Sequence, residues 1–489
     1  MESEGVLLAF LCAGGLAQAG LILALAQHPV WRNGLHVGFA GFMALAALAL
    51  MALAMLGHSP AIALTWPTSP GALALRAEPM GALVAALIAC SGAIISVYAN
   101  GYIRAIKETQ PARLQALSGL AISMGCAAVL SDSLTAFFIF YMALAICVSA
   151  LVVHASHGRA ARAGKRALLL FLMCGLGAFL PAMIWTQSLA GDVTFLAGGI
   201  LSGKVDGIEA NVLLALFFIG LGGMAVPPFQ GWTRDLALAP SPGASLSVAV
   251  LMPCVLGLGL LKITLFIFGP ALFLAQITRP LLMAACAFSM VAHALAMARR
   301  ENLRARLVDL AAVQLASMAL GALLGGSAGA MGALLQLAAG CFSSLALFLA
   351  LGSVWVATGR DEARATRGLA RDLPLSFLAF AIAALSAAGA PPLAGAWPRL
   401  WLASAAQSAQ LWPLALALLG SGFLTFAALV IPAVRAAIDP APEDPFTRPD
   451  GASLLLSVPA AIAGAAAFGL VFALDPLTRI LAWVLGGNL

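Results

Sequence analysis

The chain has 489 residues, of which 62% are hydrophobic and 9% are charged. A soluble globular protein is about 45–50% apolar and about 25% charged, and it cannot bury the surface that a mean hydropathy of +1.03 represents. The composition therefore excludes a soluble enzyme, a nucleic-acid-binding domain, a disulfide-rich secreted domain and a disordered chain. It indicates a polytopic membrane protein, whose net charge of +6 reflects basic loops.

A helix needs about 20 apolar residues to cross the hydrocarbon core of a bilayer. The sequence contains fourteen such stretches and so predicts an all-α protein with about 14 transmembrane helices, called spans 1–14 here. The predicted spans start near Gly5, Leu35, Met80, Leu114, Leu134, Ala167, Asn211, Ala244, Gln276, Leu307, Ala330, Leu375, Leu411 and Leu454.

The basic residues are distributed unevenly between the loops on the two sides of these spans. Of 25 Lys and Arg residues, 19 fall in the loops that follow odd-numbered spans, and Lys262 lies within span 8. The other side holds Arg76, Lys204, Arg279, Arg399 and Arg479. By the positive-inside rule, both termini are predicted to face away from the cytoplasm, in the inner membrane of a bacterium. The acidic start of the chain does not resemble a signal peptide, so span 1 is expected to be permanent.

Spans 7 and 12 each contain a pair of prolines, Pro227-Pro228 and Pro391-Pro392. Proline removes a backbone donor and clashes with the preceding turn, so both helices are predicted to break at membrane depth. Two breaks five spans apart suggest two inverted five-helix repeats, which are typical of transporters. The predicted units are spans 1–3 (1–113), repeat one (114–270), repeat two (271–437) and span 14 (438–489).

The sequence shows no catalytic centre. The eight cysteines all fall within predicted spans, and none has the spacing of a metal site. We therefore expect no metal and no cofactor in this chain, which leaves open that it is a non-catalytic subunit of an oxidoreductase complex. The longest predicted loops, around 57–79 and 189–210, are too short for a soluble domain.

Ionisable residues at membrane depth are the default functional candidates in a membrane protein, because burying them is costly. All Asp and Glu residues fall at predicted helix ends or in loops, and Asp309 is interpreted as a helix-end charge. The ion-path candidates are Lys262 in span 8, which could instead reach an interface, His293 in span 9 and Arg399 after the second break. Arginine cannot exchange protons near neutral pH, so this set is a poor proton relay.

The break in span 7 lies within AVPPFQGWTRDLALAPSP, residues 225–242. This stretch resembles the K-A-P-x-F-P-F-H-x-W-L-P-D-A-H and A-P-T-P signature of the antiporter-like, proton-translocating membrane subunits. These subunits occur in respiratory complex I, Mrp-type cation/proton antiporters and group 4 membrane-bound hydrogenases. GAPPLAG at 389–395 is similar to the family's G-x-P-P-x-x-G, and LFLALG at 347–352 is a weaker match. The resemblance covers the whole chain and implies fourteen helices with a five-plus-five inverted repeat.

The resemblance also shows which of the family's key positions are substituted here. The glutamate of helix 5 corresponds to Met142, and the lysine of helix 7, its partner in the family, corresponds to Gly223. The histidine of P-F-H corresponds to Gln230. The family's lysine or histidine of helix 8 falls near Pro253.

Three further positions of the family's central polar axis lie in the second half of the chain. The histidine and lysine of helix 11 fall near Gly340 and Ser344. The charge of helix 12 falls on Arg399, the one position that keeps a charge. Removing one partner of a buried pair would leave a charge unpaired at a cost of about 3–5 kcal/mol, whereas removing both leaves none.

These substitutions favour a scaffold or anchor subunit of a larger energy-converting assembly, with most proton-translocating residues lost. Expected partners are other membrane subunits, a peripheral redox module and the lipid bilayer, with no nucleic acid. One alternative is an active proton or cation translocator that uses Arg399, Lys262, His293 and waters held by polar residues such as Gln230, Gln336 and Ser343. Another is a membrane subunit of an inorganic carbon uptake system.

Overall fold

A computed structural model describes residues 2–64, 73–154, 159–237, 241–363, 366–440, 453–473 and 478–479 of the chain. The described part is a bundle of long apolar helices, and the fourteen predicted spans are all present as helical elements. Twelve of them are long and apolar enough to cross a membrane unbroken, while spans 7 and 12 begin with shorter apolar helices. The predicted all-α polytopic fold is confirmed.

We number the spanning helices α1–α14. They are α1 (Glu2–Ala24), α2 (Pro29–Met55), α3 (Pro79–Ile106), α4 (Pro111–Val129), α5 (Leu134–His154), α6 (Ala161–Ala190), α7 (Gly207–Gly220 and Gly231–Leu236), α8 (Pro242–Phe268), α9 (Thr278–Arg299), α10 (Leu303–Leu324), α11 (Gly326–Thr358), α12 (Pro374–Ala388 and Ala396–Ser408), α13 (Trp412–Ile438) and α14 (Leu454–Ala473). A short helix, Pro270–Leu274, links α8 to α9.

The helices differ sharply in how much of their surface the protein covers. In the most apolar stretch of each helix, 100% of α10, 94% of α11 and 89% of α8 is buried, against 33% of α2 and α9. A helix that is apolar on every side is a buried helix, and α8, α10 and α11 therefore form the centre of the bundle. Their side chains therefore determine which polar and charged groups lie in the interior of the bundle.

Both predicted breaks are present. The first segment of α7 ends at Gly220, and the next turn has positive φ angles from Gly222 to Ala225. Two of these four residues, Met224 and Ala225, are not glycine, so this left-handed turn is conformationally costly. The first segment of α12 ends at Ala388, and the next residue, Gly389, has a φ of 79°. A cis peptide bond joins the two prolines in each break, Pro227-Pro228 and Pro391-Pro392.

The loops at one end of the bundle are tied together, which the sequence did not indicate. Strands β1 (Ala61–Leu64) and β2 (Leu73–Arg76) form an antiparallel pair within the predicted loop between α2 and α3. The backbone N–H of Asp132, between α4 and α5, donates to the carbonyl of Ala74 at 2.9 Å. The N–H of Phe195, between α6 and α7, donates to the carbonyl of Asp132 at 2.9 Å. Three loops are thereby held in one layer over the ends of α3, α4 and α8.

At the opposite end, an arginine compensates for a proline inside a helix. Pro432 lies within α13 and has no N–H for the carbonyl four residues earlier, that of Ala428. The Arg306 guanidinium donates a hydrogen bond to this Ala428 carbonyl, and through Nε to the Arg300 carbonyl at 2.7 Å. The hydrogen bond from Arg306 therefore joins the start of α10 to α13 at the carbonyl that Pro432 leaves without a helical donor.

We expect Arg306→Met to lower the free energy of unfolding by about 1–3 kcal/mol, because the buried Ala428 carbonyl loses its donor. In a Pro432→Ala background the restored N–H would serve that carbonyl, and the same substitution should cost clearly less. Denaturant unfolding of the four proteins in detergent measures this coupling. Equal losses in the two backgrounds would contradict the assignment.

Candidate functional site

Lys262 is buried in α8 and forms an ion pair rather than extending to an interface. Its ammonium lies 2.6 Å from Glu78 Oε1 and donates to the Ser131 carbonyl at 2.7 Å. The Phe195 ring centroid is 5.2 Å away, within the range of a cation–π contact. Only 1% of the lysine side chain is exposed. The layer of loops supplies all three partners, so this end of the bundle is built around Lys262.

The charges next to this pair form a compact group. Asp132 pairs with Arg76 at 3.0 Å beside the pair of Lys262 and Glu78. Burial raises the pKa of the Asp132 carboxyl, and the neighbouring positive charges of Arg76 and Lys262 counteract that shift. Asp192 lies in the same layer, where hydrogen bonds from Thr194 lower the pKa of its carboxyl. This group places charged side chains at the end of α8 that the layer of loops covers.

Arg399 is buried in the second segment of α12, where it binds backbone carbonyls. Its guanidinium donates to the Ala387 carbonyl at 2.8 Å and to the Leu418 carbonyl at 3.0 Å. It also donates to the Ser421 hydroxyl at 3.2 Å. No described carboxylate lies within 4.0 Å of it. The Ala387 carbonyl belongs to the last turn before the break, where carbonyls lack helical partners and the helix dipole is negative. Arg399 thus caps the broken half-helix.

His293 binds Asp309, and this corrects the interpretation of Asp309 as a helix-end charge. Nδ1 of His293 lies 3.0 Å from Asp309 Oδ1, and Arg300 donates to Oδ2 of the same carboxylate. The Asp309 side chain is 2% exposed, and it lies well inside α10, which begins at Leu303. The carboxylate is stable there because α9 and its C-terminal end supply a basic partner for each oxygen.

The contact between α5 and the break of α7 is electrically neutral. Tyr141, next to Met142, donates its buried hydroxyl to the Gly220 carbonyl at 3.2 Å. Met142 itself packs against Gly175 of α6. Gly223 has a φ of 56° and lies under the Phe229 ring, so a side chain at this position has no room. This interface therefore lacks both the charges and the space for a pair between Met142 and Gly223.

Gln230 closes the same break on its other side. Its backbone carbonyl accepts a hydrogen bond from the Thr233 hydroxyl at 2.8 Å, at the start of the second segment of α7. The motif residues 238–240 that follow, which include Ala239 and Pro240, lie outside the described residues. Gln230, which the motif resemblance predicts to stand for the histidine of P-F-H, thus places a neutral residue at this break.

The substituted positions of α8 and α11 meet in one small cavity between α8, α10 and α11. Pro253, Gly340 and Ser344 line it together with Gln314 and Gln336. The Ser344 hydroxyl donates to Gln314 Oε1 at 2.6 Å, and a Cβ at Gly340 would lie 3.2 Å from the same oxygen. The cavity volume is about 20 Å³, enough for about one water molecule. Among the described residues, none that lines it has a carboxylate, imidazole or ammonium group.

No hydrogen bond or ion pair within the described part of the chain joins Lys262, His293 and Arg399 to one another. The sequence predicted these three residues as candidates but did not predict two of their partners, Glu78 and Asp309. It also missed His36, a buried residue of α2 whose Nδ1 lies 2.9 Å from Gln18 Nε2 of α1. The position of Glu78 directly before Pro79, the first residue of α3, was the one available signal, since acidic residues favour helix N-termini.

Comparison with known proteins decides the family. The family model described as "NADH:quinone oxidoreductase/Mrp antiporter, TM" matches residues 131–425, which is more than half of the chain. The chain belongs to this family. It is a multi-pass integral membrane protein of the antiporter-like class, as the motifs at 225–242 and 389–395 predicted.

Individual relatives agree with this assignment. A NADH-quinone oxidoreductase subunit N from Desulforudis audaxviator (strain MP104C) is 28% identical over 370 residues, which is 74% of this chain and 72% of the relative. The chain spans about half of the length of several other curated relatives.

Two solved structures share the antiporter-like fold. A chain of the Mrp complex from Dietzia sp. DQ12-45-1b has a TM-score of 0.83 and 19% identity, with 100% of this chain and 98% of that chain covered. A chain of the membrane-bound sulfane sulfur reductase, an archaeal respiratory membrane complex, has a TM-score of 0.81 and 19% identity, with 98% and 96% covered.

Proposed function

We propose that this antiporter-like protein is a scaffold or anchor subunit that moves no protons itself, within a complex I-like, hydrogenase-like or Mrp-like membrane assembly. The observation that carries the proposal is the cavity between α8, α10 and α11. Three substituted family positions line it, and its polar side-chain groups are two amides, the hydroxyl of Ser344 and the thiol of Cys341. A proton relay needs groups that exchange protons near neutral pH, and this cavity supplies none with a carboxylate or an imidazole.

The contacts of the three ion-path candidates support the same proposal, because each of these residues has a structural task. Lys262 fastens the loop layer through Glu78, and Arg399 caps the break of α12. The carboxylate of Asp309 holds α9 against α10 through His293. Side chains held in such contacts are poorly suited to passing ions from one group to the next.

In this proposal the chain lies in the inner membrane of a bacterium with both termini on the non-cytoplasmic side. Its partners are other membrane subunits and a peripheral redox module, and its own role in the assembly is non-catalytic. The two breaks, alike in their proline pairs and in their glycines of positive φ, support two five-helix repeats at 114–270 and 271–437.

Affinity purification of the tagged chain from native membranes, with identification of the co-purifying subunits, tests the proposal. We expect other antiporter-like subunits together with a redox module, and we expect the assembly to fall apart in a deletion strain. Arg399→Gln should leave the subunit composition unchanged. Purification of the chain without partners would contradict a scaffold role. A carbonic-anhydrase-like partner would instead support the inorganic carbon alternative.

A further inference from the structure

A pocket lined by arginines opens where α9 ends, α10 begins and α13 ends. Its volume is about 260 Å³. The residues that define it, called the arginine pocket below, are Glu301, Arg306, Arg367, Ile431, Pro432 and Arg435. It lies at the end of the bundle opposite the loop layer, beside the contact between Arg306 and the Ala428 carbonyl. None of the family's key positions lines it.

The pocket carries excess positive charge. Arg306 donates to backbone carbonyls, which leave its charge uncompensated. Arg367 pairs with Asp439 at 3.4 Å, and Arg435 has no described carboxylate within 4.0 Å. The three guanidinium groups of Arg306, Arg367 and Arg435 therefore outnumber the two carboxylates of Glu301 and Asp439. A guanidinium presents parallel N–H donors that match two oxygens of one phosphate, so the pocket suits a phosphate group.

One wall of the pocket continues into the outer surface of α13. Ile431 lines the pocket and is 44% exposed. It belongs to a stripe of exposed large apolar residues that recur every three to five positions along the helix: Leu419, Phe423, Phe426, Ile431, Val434 and Ile438. In a spanning helix such a stripe faces hydrocarbon. A ligand that satisfies both surfaces has a phosphate at one end and an apolar chain at the other.

We propose that the arginine pocket binds the phosphate headgroup of an anionic phospholipid, with the acyl chains lying along the stripe of α13. Basic pockets between transmembrane helices bind such headgroups because the charge is attracted at low dielectric while the chains stay in the bilayer. The lipid holds the start of α10 and the last turns of α13 together beside Pro432.

Native mass spectrometry of the delipidated full-length chain in neutral detergent tests this proposal. Dioleoyl-phosphatidylglycerol and dioleoyl-phosphatidylcholine share their acyl chains, so their difference in retention reports the headgroup charge. We expect the anionic lipid to be retained about ten-fold better, and Arg367→Gln/Arg435→Gln to abolish that preference. Arg435→Lys should retain most of it. Arg371→Gln, which removes an exposed arginine outside the pocket, is the matched control and should change nothing.

Each opposing outcome has a definite meaning. Equal retention of the two lipids, or a loss of preference in Arg371→Gln, would overturn the proposal. Displacement of the anionic lipid by millimolar inorganic phosphate would show that the pocket binds a soluble anion. Release of a partner subunit from the native assembly by the double variant, with lipid preference intact, would assign the pocket to a protein contact. The double variant must have the elution volume and the melting temperature of the parent chain. If it does not, the lipid preference is measured with Arg435→Lys instead.

Discussion

Replacing Lys262 with methionine is expected to lower the free energy of unfolding by about 3 kcal/mol, one of the largest effects of any single change. The substitution leaves Glu78 without its partner, and breaking a buried pair costs about 3–5 kcal/mol. We expect the lower end of that range because the Glu78 side chain retains 18% exposure and some hydration. Denaturant unfolding of the purified chain in detergent measures the loss.

A double-variant cycle separates the pair from the lysine itself. Lys262→Met/Glu78→Gln leaves no charge unpaired, so we expect it to recover most of the lost stability. Lys204→Met is the control: this lysine is exposed, donates to the Ala190 carbonyl at 3.1 Å, and should change stability by less than about 0.5 kcal/mol. If the double variant is as unstable as Lys262→Met alone, the ion pair is not what makes Lys262 structural.

Alanine at Gly223 is expected to cost about 2–4 kcal/mol. The added Cβ would lie 2.8 Å from Phe229 Cγ and 2.9 Å from Phe229 Cβ, a severe overlap in a buried turn. The residue also has a φ of 56°, which disfavours any side chain. The melting temperature in detergent reports the loss.

Gly231→Ala is a matched control in the same broken helix, because a Cβ there meets nothing within 4 Å. It should be neutral or slightly stabilising, since alanine favours a helix over glycine. Lysine at 223, the residue that the motif resemblance predicts for the family, would add an unpaired charge to the overlap and should prevent folding. Normal folding of Gly223→Ala would mean that the break accommodates a side chain and that the lost pair could be restored.

The sequence predicted the order and number of the spans well, because continuous apolar runs follow directly from the need to face hydrocarbon. It was least accurate where polar residues lie inside the bundle. Helix α2 begins at Pro29 rather than near Leu35, since Arg32 donates to the Ala26 carbonyl and His36 contacts Gln18. Polar residues that are satisfied by neighbours do not stand out in a hydropathy pattern.

The candidate site shows the same division. The motifs predicted which positions of the family are substituted, and three of these positions line one cavity. The sequence did not predict the partners of the charged residues. The pairing of Lys262 with Glu78 depends on a strand pair and on three loops that are distant in sequence but lie together in the structure. The burial of Asp309 likewise follows from α9 lying against α10. Such pairings arise from tertiary packing and leave no local pattern.

If this chain moves no protons, removing its ion-path candidates leaves the number of protons moved per turnover unchanged. The purified assembly is reconstituted in sealed vesicles with a pH-sensitive dye, with either the parent chain or Arg399→Gln/His293→Asn. This double variant removes two of the three ion-path candidates and leaves the pair of Lys262 and Glu78 intact. We predict the same proton ratio for both assemblies. A lower ratio in an intact variant assembly would show that this chain conducts protons and is not a scaffold alone.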